Sequence, residues 1–186
     1  MSRDIPFSLL LEPIRFKDNE FRADLPPNYI YWVLQGRKDH YDLDDPELLS
    51  LSPIECAKMT QDLTSHWHPS LHPLFEEQVI GQTSILRIES SLPEIRSLDE
   101  KERGMVTLIG DSIHAMSPTA VVGAVTALRD AADLAQVLAE DGLKVESLGK
   151  YEGAMREYAG EAIRNSARGG MMLFGMRPFE ELKLAV

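Results

Sequence analysis

Two long stretches of the chain repeat their apolar residues every three to four positions. After Pro118, Ala124, Ala127, Leu128, Ala131, Leu134 and Leu138 fall on one helical stripe, and Gly142 stops it. A second stripe, Leu148, Tyr151, Met155, Tyr158, Ala162 and Ile163, predicts a final long helix after Ser147, with Gly169-Gly170 weakening its last turns. The first hundred residues follow a different rhythm. "IPFSLLLEPIRF", "EFRADL" and "YIYWVLQG" are short runs rich in β-branched or aromatic residues and bounded by Asp-Asn and Pro-Pro, which predict strands. "TSILRIESS" and "GMVTLIG" are two further strand candidates, separated by the charged linker "SLDEKERG". Ser52-Pro53-Ile54-Glu55 combines a capping serine, a first-turn proline and a reciprocating glutamate, and opens a helix to about Asp62. A short helix is expected near Leu71 to Val79, and Asp39 to Glu47 reads as a polar acidic loop. The sum is an α+β fold, a largely antiparallel sheet packed with helices. One domain is expected over 1–186: sheet-rich over 1–100, then a loop and two long helices over 104–186.

Composition narrows the partners. Hydrophobic residues make up 44% and charged residues 26%, the proportions of an ordinary globular domain. Thirty acidic against 19 basic residues give a net charge of −11, so neither a nucleic-acid backbone nor an anionic membrane is an expected partner. A single cysteine, Cys56, excludes an intramolecular disulfide and suggests a reducing, cytoplasmic setting; among helical signals it reads as a small buried apolar group. The apolar run in "MSRDIPFSLLLEPIRF" is too short and interrupted for a signal peptide or a membrane span. His66, His68 and His72 crowd into "HWHPSLHP", yet Pro69 and Pro73 disrupt regular ligand geometry, so a turn anchored by Trp67 is expected and no metal. "DHYDLDD" lacks the glycine pivot of a calcium loop. Met171, Met172 and Met176 read as helix packing.

The candidate chemistry sits between the last strand candidate and the first long helix. Gly104 to Gly110 is an apolar run ending in Gly-Asp, which delivers the Asp111 carboxylate to the end of a strand. Ser117 and Pro118 then make a helix start, and a helix N-terminus carries about half a positive charge that favours an anionic ligand atom. Asp111 there can orient a polyol, share a proton, or simply cap the helix.

The residues around this motif carry a resemblance. "GMVTLIGDSIHAMSPTAVVGAVTALRDAADLAQVL" resembles the C-terminal flavin-binding motif of the class A flavin monooxygenases, the group containing the p-hydroxybenzoate and salicylate hydroxylases. The fungal pattern is matched without a gap at Gly110, Asp111, His114, Met116 to Thr119, Val122 to Ala124 and Thr126 to Ala131. "YIYWVLQGRKDHY", "HWHP", "LRIESS" and "YEGAMREYAGEAIRNS" are similar to flanking segments of the family, so the likeness covers nearly the whole chain. It implies a truncated flavin-monooxygenase-like lobe, with Gly110, Asp111, Pro118 and Gly123 as the residues that touch FAD if FAD is bound. It also shows departures. The family's Gly-x-Gly-x-x-Gly turn for the ADP half is absent, since the first glycine is Gly36. Ala120-Val121 replace an Arg-Gly pair and Val125 an asparagine, and valine adds bulk where glycine permits close approach.

These departures leave three readings open. In the first, the chain holds no FAD tightly and uses the vacated hollow for cofactor-independent proton transfer, an isomerisation, cyclisation or rearrangement of a small hydrophobic or aromatic natural-product-like molecule. Asp111 would then be a general acid or base, His114 a second proton carrier, and Arg87 the group that binds a substrate carbonyl. In the second, the chain is half of an FAD-dependent monooxygenase that also uses NAD(P)H. In the third it binds a small molecule or dimerises without catalysis; a homodimer is the expected assembly, because a missing lobe would expose apolar surface.

Overall fold

Among the described residues, strand pairing is confined to one hairpin. The structure, a computed structural model, describes residues 7–16, 27–96 and 104–182, and it divides into two compact units, Met1–Arg87 and Ile88–Val186. In the first unit, strand β1 (Phe7–Ile14) pairs antiparallel with β2 (Tyr29–Gly36), in a register that sets Leu11 opposite Trp32 and Leu9 opposite Leu34. Alternation along a strand puts these four on one face. Trp32 meets Phe75 edge-on at 5.2 Å between ring centroids, and Trp67 closes on the same ring at 6.0 Å.

Among the described residues this unit also holds three α-helices, α1 (Asp45–Ser50), α2 (Pro53–Thr64) and α3 (His72–Glu76), and three short 3-10 turns. Both α1 and α2 open with a capping box and an early proline, Asp44 with Glu47 and Ser52 with Glu55. Part of the expected acidic loop is therefore a helix. Cys56 is buried on α2, as its composition suggested, and burial pushes its thiol pKa up. His68 Nδ1 meets Ser70 Oγ at 2.8 Å and His72 Nε2 meets the Trp67 carbonyl at 3.1 Å, so two of the clustered histidines brace their own turn.

The sheet is smaller than expected. "EFRADL" lies outside the described residues, and neither 83–91 nor 104–110 enters a ladder. A strand is a relation between two segments, and an apolar run without a neighbour to accept its hydrogen bonds stays unpaired. Leu86 accordingly stands 82% exposed, and Met105, Val106, Leu108 and Ile109 are exposed too.

The second unit holds the motif. A single helical turn α4 (Asp111–His114) is followed by α5 (Gly123–Asp141) and α6 (Val145–Phe174). Gly142, at φ +75°, ends α5 where the sequence placed the stop. Helix α6 runs through Gly169-Gly170 to Phe174, and Phe174 and Met176 fill the space a side chain at Gly170 would take. Its core is Tyr151, Met155 and Ala159, packed by Ile95, Ile113, Leu134 and Tyr158. No described helix is long and apolar enough to cross a membrane.

Candidate functional site

Gly110 makes the turn possible. It adopts φ +61°, which L-residues avoid, and a Cβ there would lie 3.2 Å from the Ala127 side chain. The segment leading into it is anchored on α6: Thr107 Oγ1 donates to Glu152 at 2.9 Å, and the Tyr151 hydroxyl donates to the Leu108 carbonyl at 3.2 Å. Asp111 follows as the first residue of α4. Its side chain is exposed and accepts no hydrogen bond or ion pair among the described residues.

Behind that turn lies a buried carboxylate. Asp130, on α5, has 0% exposure, and its Oδ2 accepts from the Gly110 amide and from His114 Nε2, both at 2.6 Å. Its Oδ1 accepts from the Tyr158 hydroxyl of α6, again at 2.6 Å. Short bonds of this kind to an ionised oxygen are the strong class. Burial first, then the hydrogen bond and charge of Asp130, push the Tyr158 pKa far up, so its phenol keeps the proton it donates. The Arg129 guanidinium lies 3.9 Å over the Tyr158 ring and reaches Asp133 rather than Asp130.

The loop between α4 and α5 is clamped to α6. Thr119 Oγ1 donates to the Ser166 carbonyl at 2.5 Å, and a Cβ on Gly169 would come within 2.8 Å of that oxygen. Pro118–Ala120 forms a tight turn, and Val121 follows it at φ +55°, ψ +26°. This is left-handed backbone, costly for a β-branched residue by about 1–2 kcal/mol. Val121 thus holds a backbone conformation that glycine adopts without strain. Its side chain is 84% exposed; those of Val125 and Leu128, four and seven residues on, are 65% and 72% exposed.

The structure sorts the expected site residues. Gly110, Asp111, His114, Pro118 and Gly123 come together in one unit. His114 is fully buried, with Nε2 committed to Asp130 and Nδ1 enclosed, so it braces the turn and no ligand reaches it. Asp111 is exposed, so among the described residues nothing encloses its carboxyl. Arg87 belongs to the other unit and pairs with Asp45 at 3.6 Å. Sequence reasoning missed Asp130, Tyr158 and Thr119. Asp130 and Thr119 lie within the matched motif, but nothing in their local spacing marks them as the groups that hold the turn and the loop.

Whether these residues suit a flavin dinucleotide can be asked of the geometry. The Asp111 carboxylate is held out with no internal partner. The first turn of α5 has no side-chain cap, and Gly123 meets only an ordinary 3.8 Å contact with Met116, so the chain's own packing does not demand glycine there. An oxygen-rich, partly anionic group fits that corner. Among the described residues no cluster of three His, Cys, Asp or Glu suits a metal.

Comparison with known proteins agrees with the fit. A family model described as an FAD binding domain matches residues 57–166. The chain is 41% identical to a dual O-methyltransferase/FAD-dependent monooxygenase of Cercospora beticola, over 94% of this chain and 21% of that protein. It is 37% identical to the corresponding dual enzyme of Phaeosphaeria nodorum, over 97% of this chain and 23% of that one. A crystal structure assigned as an FAD-containing monooxygenase from Photorhabdus luminescens superposes with a TM-score of 0.59 at 29% identity, over 90% of this chain and 43% of that one. The chain therefore spans under a quarter of the length of the fungal relatives.

Proposed function

The chain belongs to the FAD-binding domain family of the flavin monooxygenases, and on that premise we propose that it supplies the flavin-loop and substrate-side portion of an FAD-dependent monooxygenase acting on a small aromatic molecule. One observation carries this reading: the Gly110–His114 turn is fixed from behind by a buried carboxylate while Asp111 is left exposed and unpartnered.

Bound FAD supplies the redox chemistry that activates oxygen. This chain's share is to bind and orient. Asp111 accepts hydrogen bonds from polyol hydroxyls, Gly110 keeps the turn tight, and Pro118 and Gly123 shape the α5 N-terminus, whose partial positive charge favours electron-rich oxygen atoms. The ADP half needs residues outside this sequence, which has no Gly-x-Gly-x-x-Gly turn. A micromolar complex requires about 8 kcal/mol net. Association costs roughly 4–15 kcal/mol beforehand, and a few loop hydrogen bonds at about 0.5–1.5 kcal/mol each do not cover it. The chain by itself holds FAD weakly.

A cofactor-free proton-transfer catalyst is less well supported, because it needs a buried Asp111 and a reachable His114, and the geometry offers the reverse. The exposed stripe of Val121, Val125 and Leu128 supports a further portion covering α5. The visible spectrum tests the proposal. The purified chain mixed with FAD and desalted should be colourless, and adding the dinucleotide-binding portion of the Cercospora beticola relative should retain flavin absorbance at one equivalent. No retention in the mixture, or substrate turnover by the colourless chain, overturns it.

A further inference from the structure

We propose that Asp130 is a positioning residue for Asp111: its buried carboxylate sets the direction in which the ligand-facing carboxylate points. In naming FAD as the ligand this rests on the function proposed above; as a statement about the turn it stands on geometry alone. Asp111 lies between two residues that Asp130 holds, the Gly110 amide immediately before it and the His114 ring three positions after it. Both bonds end on the same oxygen, Oδ2, so the entry and exit of the turn are tied to one point. The other oxygen is fixed by the Tyr158 hydroxyl, which pins the carboxylate plane to α6. The His114 ring makes no second hydrogen bond, its Nδ1 being buried without a partner, and against a carboxylate oxygen Nε2 is the donor.

Stability alone does not account for this arrangement. A buried charge with polar partners is often no more stabilising than apolar residues of similar volume. What the carboxylate adds is directionality, because hydrogen bonds fix angles where packing does not. Of the donors, two come from the turn that presents Asp111 and the third from the helix behind it. Asp111 itself takes part in none of these bonds.

Asp130→Asn keeps the shape and removes the charge, and it is compared with Asp111→Ala and with the double variant. FAD affinity is read by flavin fluorescence quenching, with the dinucleotide-binding portion of the Cercospora relative added. Amide hydrogen exchange of the chain alone is read at 110–114 and along α6. Asp130→Asn should weaken FAD binding about tenfold in the native background and less than about twofold in the Asp111→Ala background, because it acts through Asp111. Exchange at 110–114 should quicken by about tenfold or more while the Met155 region of α6 is unchanged. Tyr158→Phe, which keeps the carboxylate but frees one oxygen, should shift both readings the same way by about threefold. It carries the test if Asp130→Asn does not fold.

An equal loss of affinity in both Asp111 backgrounds overturns the proposal, as does unchanged exchange at 110–114. If the native chain binds no FAD under any condition, the functional reading fails, and hydrogen exchange alone then decides the role of Asp130.

Discussion

Helices α5 and α6 pack against one another in the same unit and differ in what they turn inward. On α6 the buried side chains are mostly apolar, Leu148, Tyr151, Met155, Ala159, Ile163, Ala167 and Phe174, with Ser147, Glu152 and Ser166 as polar exceptions. On α5 they are Thr126 and Asp130, while Val125 and Leu128 point to solvent. The apolar stripe expected from Ala124 through Leu128 to Ala131 is exposed at those three positions and partly buried only at Ala127, Leu134 and Leu138. The difference lies in what each helix has to satisfy. Helix α6 covers apolar neighbours. The first half of α5 faces a turn whose amide and imidazole donors need an acceptor, and a leucine there would leave Gly110 N–H and His114 Nε2–H buried and unpaired.

Making α5 obey the rule of α6 is the most direct way to break this contrast. Asp130→Leu puts an apolar residue at the inward position, and it should destabilise the chain by about 3–5 kcal/mol in urea or thermal unfolding, because three buried donors lose their partner. An unchanged or raised midpoint would show that the polar interior of α5 is incidental and that its stripe could equally have faced inward.

The same contrast explains how much could be read from the sequence. Local signals were legible wherever the cause is local: the capping box of α2, the Gly142 stop and the stripe of α6. Helix α1 was legible too, since Asp44-Asp45-Pro46-Glu47 repeats the logic of Ser52-Pro53-Ile54-Glu55, but it is masked by the acidity of its surroundings. The paired strands were found and the unpaired ones overread, because a strand's partner is not written in its own residues. In the site, the motif supplied Gly110, Asp111 and His114. Asp130 bonds Gly110 across twenty residues and Tyr158 meets Asp130 across twenty-eight, so neither contact leaves a periodic trace.

A milder change sharpens the contrast at the start of α5. Val121 holds a left-handed backbone while its side chain is almost wholly exposed. Val121→Gly removes about 1–2 kcal/mol of strain and returns about 0.4–1 kcal/mol of chain entropy to the unfolded state. The net expectation is a gain of about 0.5–1 kcal/mol in chemical denaturation. A loss would mean that the isopropyl group does pack on something, and that the loop is shaped around valine.

The smallest effect is the most diagnostic. Leu128→Gln replaces an exposed leucine on the outward face of α5 by a residue with equal helix propensity, so the isolated chain should change by less than about 0.5 kcal/mol. The same substitution in Met155, at the centre of α6, would abolish an apolar core contact and be felt at once. If the outer face of α5 is covered by the portion that carries the ADP half of FAD, Leu128→Gln should weaken flavin retention in the reconstituted mixture several-fold while leaving the chain's own unfolding midpoint in place. Equal retention would free that face from any part in cofactor assembly. The inversion of α5 would then serve the turn behind Asp111 alone, through its buried side.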